Sequence, residues 1–348
     1  MGMLWFWMVS VVVALYAVMD GFDFGAGALH LFVARTDNER REVLAAIGPL
    51  WDGNEVWLLA GGGLLFLGFP KVLAAGFSGF YLAMFMLIWT LILRGISIEF
   101  RSHVADRLWR AFWDGGFALS SALMPVLLGA ALGNVVRGVP LDASGFFNIP
   151  LFTHWGVGNP VGILDWYTLL TGLLVLATLT AHGALFLAWK TSGAVHRRSL
   201  AAARPLWGSV AILTLCATFA TAKVNPEVYA RLPHAPLAWA GMALFLAGLV
   251  TVAAGLWKGR PLLAFLGSGA FIVGLLAATA GCVWPVMLRS TIDPAFSLDA
   301  HNANVGAYGM RSGLIWWLLA FPIVIAYFAM LFRIHRGKVQ AAADGEGY

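Results

Sequence analysis

Gly48-Pro-Leu-Trp-Asp-Gly-Asn-Glu-Val-Trp57 opens a long apolar segment, Leu58 to Pro70, with two carboxylates and two indoles at its head. Pro49 fits a helix start, where its missing N–H costs nothing, and Asp52 and Glu55 fall in or next to the first turn. Three apart, those carboxylates share one face; Trp51 and Glu55, four apart, lie on nearly the same stripe. Ionisable groups bordering a membrane span are functional candidates, because taking a charge out of water is expensive unless it is paired or hydrated. The plainer reading is an interfacial helix start with acidic caps and an aromatic belt. The rest of the chain decides between them.

Composition sets the class. The chain is 60% hydrophobic and 11% charged, with 16 Trp and 24 Phe, against roughly 25% charged residues in a soluble domain. This is an all-α polytopic membrane protein. Forty glycines in 348 residues suit close helix approach in lipid. Cys216 and Cys282 both fall in apolar stretches and offer neither a disulfide framework nor metal spacing. The basic balance does not point to nucleic acid, because the Lys and Arg residues sit in short loops between apolar runs.

Spans of roughly 20 apolar residues are expected at about 3–33, 54–70, 72–98, 114–136, 162–189, 205–222, 236–257, 262–288 and 312–332. That makes nine, or eight if the second and third are one interrupted unit around Pro70-Lys71. Met1 to Met19 has no basic leader and no small-residue cleavage site, so it reads as the first span. Phe at position 6 excludes a myristoylation signal at Gly2. Loops 35–53, 99–113, 190–204 and 258–261, with the tail after 332, hold fifteen Lys and Arg; the alternate loops hold six. By the positive-inside rule the first set is cytoplasmic, the N-terminus faces outward and the C-terminus inward.

That orientation places polar residues inside the membrane. At 1.5 Å per residue, Asp20 and Asp23 lie about 25–30 Å along helix one, and Arg94 about 33 Å after Val72. Asp20, Asp23, Asp52, Glu55, Arg94 and Glu99 are thereby expected at one depth. Five acids and one base in a layer need water, paired charges or shared protons. A proton entry route is the favoured reading and a static salt-bridge cluster the alternative. Trp57, five residues after Asp52 and so about 140° round the helix, cannot belong to the acid face.

The histidines give no cofactor site. His182, in Thr-Ala-His-Gly, and His30 read as hydrogen-bonded structural residues, with no second axial ligand at similar depth. His103, His154, His196, His234, His301 and His335 fall in loops or the tail, and no pair has metal-ligand spacing. Pro125, Pro285 and Pro322 are expected to kink spans. No phosphate loop and no nucleophile–base pair is present in the sequence. Redox or binding chemistry then needs a partner.

Asp20-Gly-Phe-Asp23-Phe-Gly25, the loop Arg35-Thr-Asp-Asn-Glu-Arg-Arg41, Trp51-Asp-Gly-Asn-Glu-Val-Trp57, Phe77-Ser-Gly-Phe-Tyr81, Leu93-Arg94 and Glu99-Phe-Arg101 follow one another in order. Together they resemble subunit II of cytochrome bd-type quinol oxidases. The resemblance is strong over 1–140; beyond span four it rests on architecture, with Ser290-Thr and Asn302-Ala-Asn as loop echoes. Arg289 departs from it, standing where a neutral residue is expected.

The resemblance implies two four-helix bundles plus a peripheral helix, here 1–137 with the acid layer, 138–289, and 290–348 for the last span and tail. It implies a heterodimer with a homologous subunit I that carries the haems, b together with b or d, and the quinol-oxidising loop; a small single-span subunit is allowed for. The complex would oxidise membrane quinol and reduce oxygen to water with protons from the cytoplasm, in the bacterial inner membrane. This chain would hold no haem ligand and no metal, although some family members bind a structural quinone in this subunit. The proton route would pass near Asp52, and the oxygen route or partner interface near Trp51 and Trp57. Two other classes compete. A proton-coupled secondary transporter would place its site at the midplane on broken helices with inverted repeats, which this chain lacks. A purely structural assembly subunit would tolerate loss of charge in the acid layer.

Overall fold

Long apolar runs become long helices, and the polar residues between them mark where each begins. The computed structural model describes residues 1–339; the rest of the expected tail lies outside the described residues. In chain order the helices are α1 (Gly2–Val33), α2 (Asp37–Ile47), α3 (Trp51–Gly68), α4 (Pro70–Gly79), α5 (Tyr81–Phe100), α6 (Arg107–Arg137), α7 (Trp166–Lys190) and α8 (Gly193–Val224). They continue with the short α9 (Glu227–Ala230), then α10 (Pro236–Trp257), α11 (Pro261–Val283) and α12 (Ala307–Ile334). A two-stranded antiparallel ribbon, β1 (Val286–Leu288) with β2 (Leu298–Asp299), closes one loop.

Caps fix several starts. Thr36 and Glu39 form a reciprocal capping box on α2, Asp106 caps α6 through Trp109 N at 2.8 Å, and Asp165 caps α7 through the amides of Tyr167 and Thr168. Each such cap contributes roughly 1 kcal/mol.

Among the described residues eight helices are long and apolar enough to cross a membrane, or nine if α3 and α4 together count as one span. The expected third span, 72–98, is not continuous. Pro70 forces Phe69 out of the helical region (φ −137°, ψ 59°) and starts a new helix, so α4 leaves α3 at 120° and the crossing helix α5 begins only at Tyr81. The expected span 262–288 likewise ends at Val283, leaving Pro285 outside a helix, whereas Pro125, Pro205 and Pro322 lie inside α6, α8 and α12.

One set of four helices is α1, α3, α5 and α6, and a second is α7, α8, α10 and α11; α1 and α6 pack on α7 and join the two. Glycine makes the closest approaches. A Cβ on Gly25 would fall 2.0 Å from Leu179 O, so α1 and α7 meet backbone to backbone. Gly241, Gly248 and Gly255 on α10 face Gly267, Gly274 and Gly281 on α11, seven apart on both helices, and a Cβ at any of the six would reach 2.3–2.8 Å from the neighbouring helix. Small residues at such spacing let helices touch where dispersion rather than water expulsion drives association. At the junction, Arg137 is bonded to Asp165 and donates to Asn134 Oδ1 at 2.6 Å. Helix α12 stands outside both sets, mostly exposed, against α3.

Candidate functional site

The Tyr16, Asp20, Asp23 and Phe24 positions of α1 repeat every three or four residues and so face one way. Arg94 reaches them from α5, and Asn54 and Glu55 from α3. Arg94 Nη1 donates to Asp20 Oδ1 at 2.5 Å, Nη2 donates to Glu55, and the guanidinium carbon sits 4.2 Å over the Phe24 ring. Asn54 Nδ2 donates to Asp23 Oδ2 at 2.7 Å and to Met19 O at 3.1 Å. Asp20, Asp23, Asn54 and Arg94 are buried, while the Glu55 side chain keeps 27% of its surface exposed.

Two carboxyl groups therefore share one guanidinium, a third is held by Asn54, and the cluster is not saturated. Tyr16 Oη, Asp20 Oδ2, Asp23 Oδ1, Asn54 Oδ1 and Arg94 Nε have no partner among the described residues. Buried polar atoms are nearly always paired, so this layer has spare donor and acceptor capacity. Of the expected layer, Asp20, Asp23, Glu55 and Arg94 converge. Asp52 is exposed in the first turn of α3, where no side chain caps the helix. Glu99 is exposed near the end of α5. Trp51 covers Gly95, beside Arg94. Trp57 is buried, stacked on Phe328 (5.4 Å) and edge-on to Phe321 (6.3 Å) of α12.

Sequence reasoning missed three members of this cluster. Asn54 lies inside the opening stretch, and Tyr16 and Phe24 lie one turn either side of Asp20. Helical spacing from Asp20 finds Tyr16 and Phe24, whereas Asn54, about 100° round from Glu55, gives no such signal.

A second charged centre sits at the end of the helices where α2 lies. Asp114 of α6 accepts from Arg101 Nε at 2.6 Å and from Arg40 Nη1 at 2.7 Å, and lies 2.7 Å from His30 Nε2. Asp37 accepts from Arg101 Nη2 at 2.7 Å and Arg110 Nη1 at 2.8 Å. In α2, Glu39 pairs with Arg198, and that hydrogen bond is the main reason its carboxyl is held down to about 2.

Both ring nitrogens of His182 have protein partners. Its Nε2 lies 3.0 Å from Val18 O, its Nδ1 2.5 Å from Ser268 Oγ, and its ring stacks on Phe265 at 4.7 Å. His30 is tied to Asp114 through Nε2 alone. Among the described residues no group of three or more His, Cys, Asp or Glu could hold a metal ion. Between the two helix sets lies a cavity of about 330 Å³ with mostly apolar walls, bordered by Tyr16 and Phe24 on its α1 side.

The comparisons agree with this architecture. The family "Cytochrome bd terminal oxidase subunit II" matches residues 1–335. The chain is 37% identical over 221 residues to cytochrome bd-I ubiquinol oxidase subunit 2 of Escherichia coli, a match covering 64% of this chain and 56% of that one. The chain thus spans little more than half the length of that relative. It is 29% identical over 337 residues to cytochrome bd ubiquinol oxidase subunit 2 of Bacillus subtilis, covering 97% and 96% of the two chains. A chain of the bd oxidase structure from Geobacillus thermodenitrificans shares the fold at a TM-score of 0.75 and 17% identity, over 96% of this chain and 98% of that chain. This chain belongs to the cytochrome bd terminal oxidase subunit II family.

Proposed function

We propose that this chain is the haem-free subunit II of a membrane quinol oxidase, stabilising a haem-bearing subunit I and helping deliver the protons consumed when oxygen is reduced to water. The chain would lie in the bacterial cytoplasmic membrane with its N-terminus outside. The observation that carries the proton role is the unsaturated Arg94 cluster. One guanidinium holds two carboxyl groups, a third is held only by an amide, and five polar atoms keep free capacity. Such a group can gain or lose a proton without any helix moving. Asp52, exposed, and Glu55, partly exposed and on Arg94, give a descending order from surface to interior: Asp52, Glu55, Asp20, Asp23. Glu99 stands at the surface end of α5 and belongs to the entrance on this reading. Trp51 and Trp57 mark the side turned to the partner and to oxygen. The inter-bundle cavity suits an apolar molecule such as the tail of a structural quinone. The haems, and the site where quinol is oxidised, belong to subunit I.

The rival is an assembly subunit in which the cluster only locks α1, α3 and α5 together; the double pairing of Arg94 favours it. Glu55→Gln separates the two readings in the complex with subunit I, because glutamine keeps shape and hydrogen bonding but cannot carry a proton. Oxygen uptake is expected to fall about tenfold or more with haem content retained, and Asp52→Asn to act in the same direction but less. Full turnover in a well-assembled Glu55→Gln complex would sink the proton role and leave the lock.

A further inference from the structure

The polar face of α1 does not stop at Asp23. His30 continues it two turns on, with Gly27 between them, and Gly27 leaves a notch filled from α6. A Cβ on Gly27 would fall 2.0 Å from Ser121 Oγ. Ser121 is buried, and its hydroxyl has no partner among the described residues. That is unusual for a helical serine, which ordinarily bonds the carbonyl four residues back, as Ser97 and Ser120 do here. Asp23 and His30, about one turn either side of Gly27 on the same face of α1, also carry unpaired atoms, Oδ1 and Nδ1. His30 and Asp23 are about 10 Å apart along the helix axis, and the Ser121 hydroxyl, seated against Gly27, stands at the helical position between them.

We infer that Ser121 and His30 form a second proton branch, joining the charged centre at the α2 end to the Arg94 cluster independently of Asp52 and Glu55. The inference rests on the proton role proposed above. Nε2 of His30 lies on Asp114, which Arg40 and Arg101 orient. The imidazole, starting with its proton on Nδ1, gains one at Nε2 from the Asp114 side, becomes a cation opposed by Asp114, gives up the Nδ1 proton through the Ser121 hydroxyl to Asp23, and resets by shifting the remaining proton from Nε2 to Nδ1. The ring starts and ends neutral, and the hydroxyl passes one proton on as it accepts one. The charged groups facing this path are Asp114, Arg101 and Arg40 around His30, with Asp20, Arg94 and Glu55 beyond Asp23. Ser121 is a positioning residue, and the Phe117 ring, 5.3 Å from His30, walls the path on one side.

The test uses the complex with its partner subunit and follows proton uptake from solvent after an oxygen pulse. Ser121→Ala is expected to raise the solvent deuterium isotope effect of uptake and, in the Glu55→Gln background where the first branch is lost, to slow uptake roughly threefold, with haem content and thermal stability unchanged. Ser121→Thr should restore both readouts. His30→Gln, which still donates to Asp114 but has no titrating ring, should slow uptake likewise and flatten its pH dependence. With two parallel branches, Ser121→Ala combined with Glu55→Gln falls below the product of the single losses. If Ser121→Ala is indistinguishable from wild type and adds nothing to Glu55→Gln, the branch is refuted while the proton role stands. If Glu55→Gln and the double variant both turn over fully, the proton role itself fails.

Discussion

The two charged centres use the same chemistry to opposite ends. Around Asp114, two arginines and a histidine surround one buried carboxylate, and Asp37 accepts from Arg101 and Arg110. Around Arg94, a single guanidinium serves two of three carboxyls, and five polar atoms are left over. The first arrangement holds charge in place, because every ionised group there has its counter-ion. The second has more sites for protons than cations to exclude them. A carboxylate ringed by cations fastens helices; carboxyl groups that outnumber their one cation can carry protons. The contrast tells which carboxylate should be felt in assembly and which in turnover.

The largest effect should come from Asp114→Asn. Removing one partner of a buried ionic network leaves uncompensated charge and typically costs about 3–5 kcal/mol, and here two guanidinium groups lose their common acceptor. We expect the complex to assemble poorly, read as haem yield per membrane protein, with near-normal oxygen uptake per haem in whatever assembles. Normal haem yield with slow turnover would reverse the contrast and make Asp114 a working group.

How far these centres were legible in the sequence follows from their construction. The Arg94 cluster hangs on α1, where Asp20 and Asp23 announce themselves as charges in an apolar run, and Arg94 does the same on α5. The Asp114 knot draws Arg40, Arg101, Asp37 and Arg110 from segments that read as ordinary loop charges, so only the tertiary fold reveals that they converge. The place of Asp52, at the surface and apart from Arg94, is hidden for the complementary reason. A carboxylate at a helix start looks the same in sequence whether it turns inward or out. The helices themselves were readable because twenty apolar residues have few alternatives in lipid. The break at Phe69 and the second at Phe80 were half-readable: Pro70 signals the first, and nothing comparable signals the second.

Trp57 tests the contrast from the apolar side, two residues beyond Glu55. Its ring is stacked against Phe328, so Trp57→Ala removes the main seat of α12 on α3 and should cost about 3–5 kcal/mol, seen as a lower unfolding temperature of the complex. On the proposed oxygen route the apparent oxygen affinity changes as well, more than the quinol affinity. Lost stability with unaltered oxygen dependence would confine Trp57 to packing. Either way, uptake of protons per oxygen reduced should hold at the wild-type value, since no proton-carrying group is touched.

The smallest effect is a pH dependence in the fastening of α2. Glu39 caps its own helix through Thr36 and pairs with Arg198, and these bonds hold its carboxyl at about 2 against an ordinary value of 4.5. The folded-state value is the lower one, so the unfolded chain binds the proton more readily as the solution is acidified. The stabilisation is complete above about 4.5 and is lost as pH falls from there towards about 2. Hydrogen exchange at the α2 amides should therefore accelerate across that window while the α7 amides stay protected. Arg198→Gln should remove most of the acid dependence and raise exchange at neutral pH modestly, because a partly exposed pair contributes little. Asp114, set among arginines, supplies the internal comparison: if the α6 amides around it loosen in the same acid window as α2, the two ends of the knot are one unit, and the division drawn here between a fixed core and a titratable fastening is wrong.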